Sequence, residues 1–117
     1  MYKPGGTHIF IDVELEDDSM PESLDMLDIL IFASEKAGSK VLDHSMETFD
    51  SQMHSMSYTI CLLLSESHAS VHTWPEHNFL SIDFFFCGNA DWRGAVELVE
   101  SKLQFKKFYI QKHRRGV

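Results

Sequence analysis

The segment from Tyr58 to Cys87 constrains the fold more than any other part of the chain. Tyr58 to Leu64 is a continuous, mostly apolar run, and in Phe79 to Phe86 the residues Leu80, Ile82, Phe84 and Phe86 alternate with Ser81, Asp83 and Phe85. Alternation with period two marks a strand with one buried face. Ala69 to Trp74 reads as a strand between them, and Pro75-Glu76-His77-Asn78 has the composition of a turn. Strands joined this tightly pair antiparallel, because a parallel pair needs a crossover of a dozen or more residues.

The remaining segments fit a helix-covered sheet. His8 to Leu15 reads as a strand, with Ile9, Ile11, Val13 and Leu15 on one face and Asp12 and Glu14 on the other. Glu16 to Ser19 form an acidic turn. Ser19 and Glu22 stand at capping-box spacing with Pro21 in the first turn, which predicts a helix from Ser19 through Leu24, Leu27, Leu30 and Ile31 to about Ala37, capped by Gly38. Lys40-Val41-Leu42 is expected as a short strand, and Asp43 to Ser57 as a long loop or a loop with an irregular strand. Tyr58 to Leu64 is expected to be central and buried on both faces, with Cys61 in the core. Asp91 to Leu103 predicts a second helix with Ala95, Val96, Val99 and Leu103 on one stripe, and Phe105 to Ile110 a closing strand. The expected fold class is α+β, a two-layer sandwich with a mostly antiparallel sheet and both helices on one face, and residues 1–117 form a single domain.

Several function classes are excluded by composition. A net charge of −8 argues against binding a phosphate backbone, and the only basic cluster, Lys106-Lys107 with Lys112 to Arg115, reads as a solvated terminus. No apolar run approaches the ~20 residues of a membrane span, and Met1 to Gly6 lacks the apolar stretch of a signal peptide. The expected setting is the cytoplasm, with Cys61 and Cys87 reduced. The cysteines fit no metal-ligand spacing, and His8, His44, His54, His77 and His113 are too scattered for a metal site.

Reactive side chains gather at one strand end. Leu63-Leu64-Ser65 runs into Glu66-Ser67-His68, followed by His72, Trp74 and Glu76. If Pro75 to Asn78 is a four-residue loop, Trp74 faces Phe79 and the register sets Glu66 beside Cys87. His68, Ser70, His72 and Trp74 then share the polar face with Ser81, Asp83 and Cys87. His72 lies five extended residues from Ser67, roughly 16 Å. Either the strand bends sharply after Ser67, or a second copy supplies His72 to each site in a symmetric dimer.

A Ser hydroxyl can attack the carbonyl of the preceding residue when the peptide is strained, turning amide into ester. Loss of the Ser67 α-proton would then release the Glu66 carboxylate and leave dehydroalanine, which hydrolyses to a pyruvoyl group. A His is the natural base for that proton. A pyruvoyl ketone forms a Schiff base with a substrate amine and acts as an electron sink while carbon dioxide leaves. A neighbouring thiol can return the proton.

From Thr59 to Gly88 the chain resembles the prokaryotic-type S-adenosylmethionine decarboxylases, and the resemblance extends from Gly6-Thr7-His8 to His113-Arg114-Arg115-Gly116. It implies self-cleavage into residues 1–66 and 67–117, with a pyruvoyl group from Ser67 and Glu66 on the other side of the cut. It also implies that His72 and, less directly, Thr59 serve processing, that Cys87 is the proton donor in decarboxylation, and that Glu76 binds the ribose hydroxyls. Active sites shared between two protomers and a product used for spermidine synthesis are further implications. Where the family carries a ring that stacks on adenine, this chain has Met53, and Met56-Ser57-Tyr58-Thr59 replaces a Gly-containing segment. Met packs on aromatic faces, and Phe49 or Trp74 could serve instead. Ornithine or arginine is the alternative substrate for such a scaffold, and an unprocessed binding or regulatory homologue is the alternative from another class. Trp74 equally suits packing at a dimer interface, and His68 and Asp83 are secondary candidates on the Cys87 face.

Overall fold

The computed structural model describes residues 4–50 and 56–116. Its elements are β1 (Gly5–Leu15), α1 (Ser23–Lys36), β2 (Val41–Asp50), β3 (Met56–Leu64), β4 (Ser67–Trp74), β5 (Phe79–Cys87), α2 (Trp92–Lys102) and β6 (Phe105–Gly116). All six strands form one sheet in the order β2-β3-β4-β5-β1-β6, and every pairing is antiparallel. Both helices lie against one face and pack on each other, which is the α+β two-layer arrangement that the alternation pattern predicts.

Alternation explains the core. Ile9, Ile11, Val13 and Leu15 of β1, Ile60, Leu62 and Leu64 of β3, and Leu80, Ile82, Phe84 and Phe86 of β5 all point to the helical layer and are buried. They meet Met26, Leu27, Leu30 and Ala33 of α1 and Ala95, Val96 and Val99 of α2. Each large side chain so buried contributes roughly 1.5–3 kcal/mol. Tyr58 anchors β3 to the loop ahead of α1 by donating to the Pro21 carbonyl at 2.6 Å. Burial, helped by nearby Asp25, holds its phenol protonated far above the usual pKa of 10.0.

The other sheet face is bare. Leu63 is 56% exposed, Tyr109 54% and Trp74 41%, and Cys61 is exposed on the same face. The expectation that β3 is buried on both faces, with Cys61 in the core, is therefore wrong. Tyr58, Ile60, Leu62 and Leu64 face the helices, and Thr59, Cys61 and Leu63 face away. A continuous apolar run does not report which faces are covered.

Three boundaries also differ from expectation. The helix begins at Ser23, because the Ser19 hydroxyl is taken by the Asp17 carbonyl and Gln104 and caps nothing; Glu22 is the N-cap without a side-chain bond. Gly38 does end the helix, with φ +96° and its N–H donated to Glu35 O. Asp43 to Asp50 is strand, because its ladder to β3 holds it at the sheet edge without apolar alternation. The basic C-terminal segment is no free tail but the outer half of β6, paired with β1 as far as Gly5↔Gly116. Among the described residues, no helix is long and apolar enough to cross a membrane.

Candidate active site

β3 and β4 are joined by a two-residue turn, Ser65-Glu66, closed by the Leu64↔Ser67 pair. Glu66 takes φ +67°, a left-handed conformation normally left to Gly or Asn in such a turn. Holding a non-Gly residue there costs about 1–3 kcal/mol. The strain sits on the residue whose carbonyl begins the Glu66-Ser67 peptide bond.

β5 brings Cys87 to that bond. The register from Trp74↔Phe79 to His68↔Phe85 is the one that the four-residue loop predicts, with Pro75–His77 forming a 3-10 turn and Asn78 in the left-handed region. Two residues beyond the last pair, the Cys87 thiol donates to the Glu66 carbonyl at 2.6 Å. Gly6 faces Cys87 on β1, and a Cβ there would collide with the Phe86 carbonyl, so only Gly lets β1 approach this closely. Ser67 Oγ is buried and has no hydrogen-bond partner among the described residues. A buried hydroxyl without a partner costs about 1–3 kcal/mol. Lys40, Ser65, Glu66, Ser67, Cys87 and Asn89 line a cleft of about 400 Å³ here.

His68 projects from the bare face near Phe85 and His8, with ring centroids 5.8 and 6.4 Å away. Burial lowers the pKa of His8 from the ordinary 6.5. Asp83 opposes the shift, while His68, Arg115 and His113 add to it. Among the described residues, no group of three His, Cys, Asp or Glu side chains is arranged to hold a metal ion.

The remaining candidates lie at the far end of β4. Thr59 and His72 are cross-strand partners, with Thr59 Oγ1 and His72 Nδ1 3.0 Å apart. Trp74 packs against Phe79 at 5.7 Å, and Glu76 is exposed in the 3-10 turn. Met53 lies outside the described residues. β4 runs unbroken from Ser67 to Trp74, so it does not bend to bring His72 to Ser67. The structure thus joins Glu66, Ser67 and Cys87 in one group and Thr59 and His72 in another. Within one chain, the two groups stay apart.

Two features of the site have no counterpart among the sequence expectations. The positive φ at Glu66 could have been suspected from the short interval between two strong strands. On β5, Ser81 pairs with His72 and donates to Asp12 Oδ1 of β1 at 2.7 Å. That alignment depends on the β1–β5 pairing, between segments far apart in the sequence, and no local signal points to it.

Comparison with known proteins gives this arrangement a class, the carboxy-lyases. Residues 7–116 match the family model described as S-adenosylmethionine decarboxylase. The chain is 35% identical to S-adenosylmethionine decarboxylase proenzyme 2 of Bacillus anthracis, over 99% of this chain and 93% of that protein. It is 30% identical to the S-adenosylmethionine decarboxylase proenzyme of Clostridium botulinum (strain Loch Maree / Type A3), over 97% of each. The crystal structure of the adenosylmethionine decarboxylase from Aquifex aeolicus superposes with a TM-score of 0.82 at 27% identity, covering 98% of this chain and 93% of that one. The chain belongs to the S-adenosylmethionine decarboxylase family.

Proposed function

We propose that the chain is a proenzyme that cuts itself between Glu66 and Ser67 and then decarboxylates S-adenosylmethionine in the cytoplasm, in the pathway to spermidine. The observation that carries this reading is the state of that one bond. Its carbonyl residue is strained, its serine hydroxyl is buried and unpartnered among the described residues, and a thiol already donates to its carbonyl oxygen.

Ser67 Oγ attacks the Glu66 carbonyl carbon, with Cys87 stabilising the developing charge on oxygen. The new C–O ester bond replaces the C–N bond, and the Ser67 nitrogen becomes an amine. His72 removes the Ser67 α-proton, and the Ser67 Cβ–Oγ bond breaks. Glu66 leaves as the carboxylate of fragment 1–66. Water replaces the Ser67 nitrogen, which departs as ammonia, and fragment 67–117 begins with a pyruvoyl group. That group supplies an electron-withdrawing ketone able to condense with the substrate amine. Cys87 holds a proton beside the carbon that loses carbon dioxide. Glu76 takes the ribose hydroxyls, and Trp74 and Met53 contribute apolar surface for the purine.

The His72 that serves each Ser67 comes from a second copy. Support comes from the roughly 16 Å of straight strand between the two residues and from the bare sheet face that carries Leu63, Trp74 and Tyr109. A homodimer formed through that face covers it and assembles two sites at once.

Intact-mass spectrometry of the purified protein, followed by assay of carbon dioxide release, tests the reading. The expected result is two chains, 1–66 and 67–117, the second lacking a free N-terminal amine, with activity on S-adenosylmethionine and none on ornithine or arginine. A single uncut chain inert on all three would overturn it.

A further inference from the structure

Four polar side chains stand side by side across the bare face. Thr59 on β3, His72 on β4, Ser81 on β5 and Asp12 on β1 occupy consecutive register positions and point the same way. Cβ atoms in such cross-strand pairs lie about 4.5–5.5 Å apart. Two bonds are formed along the line, between Thr59 Oγ1 and His72 Nδ1 at 3.0 Å and from Ser81 Oγ to Asp12 Oδ1 at 2.7 Å.

We infer that Asp12, acting through Ser81, is a positioning residue that supports His72 as the base of self-processing. The inference rests on the reading of His72 given above. For His72 Nε2 to take a proton, Nδ1 must carry the ring hydrogen, and Thr59 Oγ1 is then its acceptor. Ser81 has committed its only hydrogen to the Asp12 carboxylate, in a short charge-assisted bond. It therefore offers His72 lone pairs alone. Such a neighbour gives nothing to a neutral ring nitrogen that must accept a proton, and it stabilises the imidazolium that forms when the proton arrives. The Asp12 charge acts in the same direction, polarised through the Ser81 hydroxyl. The line thus favours the product of proton abstraction over the resting base.

Other titratable groups face this line. Glu47 of β2 pairs with Thr59, and Tyr109 of β6 pairs with Asp12. Asp83 and Glu14 lie two residues further along β5 and β1 on the same face. None of them accepts from Ser81, whose hydrogen goes to Asp12.

The test uses full-length proenzyme made in a brief cell-free translation pulse, then diluted into buffers from acid to alkaline pH while fragment 67–117 is followed by gel. Asp12→Asn and Ser81→Ala are each expected to slow cutting about three- to tenfold. In both, the acid limb of the pH profile should move to lower pH, because the protonated ring has lost support. Ser81→Thr, which keeps the hydroxyl, should restore both the rate and the profile. His72→Ala should be uncut. If His72→Ala blocks cutting while Asp12→Asn and Ser81→Ala cut at the wild-type rate, the inference is overturned and the reading of His72 stands. A slower rate with an unmoved profile also overturns it, since that is what a merely structural pair would give. If His72→Ala is cut normally, the reading of His72 fails and takes the inference with it.

Discussion

At its start β4 follows a turn in which Glu66 is held at positive φ and Cys87 sits on the Glu66 carbonyl; toward its end the strand presents His72, paired with Thr59 of β3, from regular extended backbone. One end holds Glu66 in a strained conformation next to the bond proposed to be cut. The other holds His72, the proposed base, and its polar partner in the undistorted geometry that any antiparallel ladder provides. Strain at the second end would serve nothing, since a base needs orientation, and orientation comes from cross-strand hydrogen bonds. Strain at the first end raises the energy of the uncut chain, and the proposed cut would release it. On the proposed reading, the separation of the two along one strand is what calls for a second copy to complete each site.

The largest predicted effect breaks the first end. Cys87→Ala should lower decarboxylation about 10²- to 10⁴-fold, the usual range for loss of a positioned acid. It should slow self-cutting only about tenfold, the equivalent of one hydrogen bond of about 1.4 kcal/mol. Cys87→Ser sharpens the point, because it keeps a donor for the Glu66 carbonyl: cutting should be near normal and carbon dioxide release still impaired. Equal loss of both activities in the serine variant would count against separate roles.

At the other end, Thr59→Val keeps the shape and removes the partner of His72 Nδ1. Cutting should slow about tenfold, while the turnover of enzyme already cut stays within about twofold. Cut enzyme for that comparison is obtained by prolonged incubation. A fall in turnover as large as the fall in cutting would assign Thr59 to catalysis instead.

Smaller effects probe strain and protonation. On a Ser67→Ala background, which stays uncut, Glu66→Gly should raise stability by about 1 kcal/mol, because glycine occupies positive φ without penalty. With Ser67 intact, the same change should slow cutting several-fold. His8 gives the smallest signal. Its folded pKa is lowered from 6.5, chiefly by burial, so below 6.5 the unfolded chain binds the proton more readily than the folded one. Stability of the Ser67→Ala protein should therefore fall as pH drops through that range. His8→Phe should flatten the fall, as read by urea midpoints.

Much of this was legible in the sequence because alternation reports burial directly. Leu80, Ile82, Phe84 and Phe86 mark the core face of β5, and the Trp74↔Phe79 register follows from four turn residues, which sets Cys87 beside Glu66. β2 was illegible because it is an edge strand held by its ladder, with Asp43, His44, Ser45 and Glu47 exposed. Ser19 and Glu22 had the spacing of a capping box, yet a long-range bond to Gln104 took the hydroxyl first. Cys61 was misread because an unbroken apolar run carries no record of which face a neighbour covers. The Ser81–Asp12 bond depends on a pairing between segments far apart in sequence, and no local pattern encodes it.

On the proposed reading each site takes Ser67 from one copy and His72 from another. Co-expression of Ser67→Ala and His72→Ala chains, distinguished by tags and purified together, tests it most directly. Neither variant should cut itself alone. In mixed dimers the Ser67→Ala chain lends its intact His72, and the His72→Ala chain should be split into 1–66 and 67–117. If the His72→Ala chain stays whole in verified mixed dimers, each site is complete within one protomer and the account is wrong.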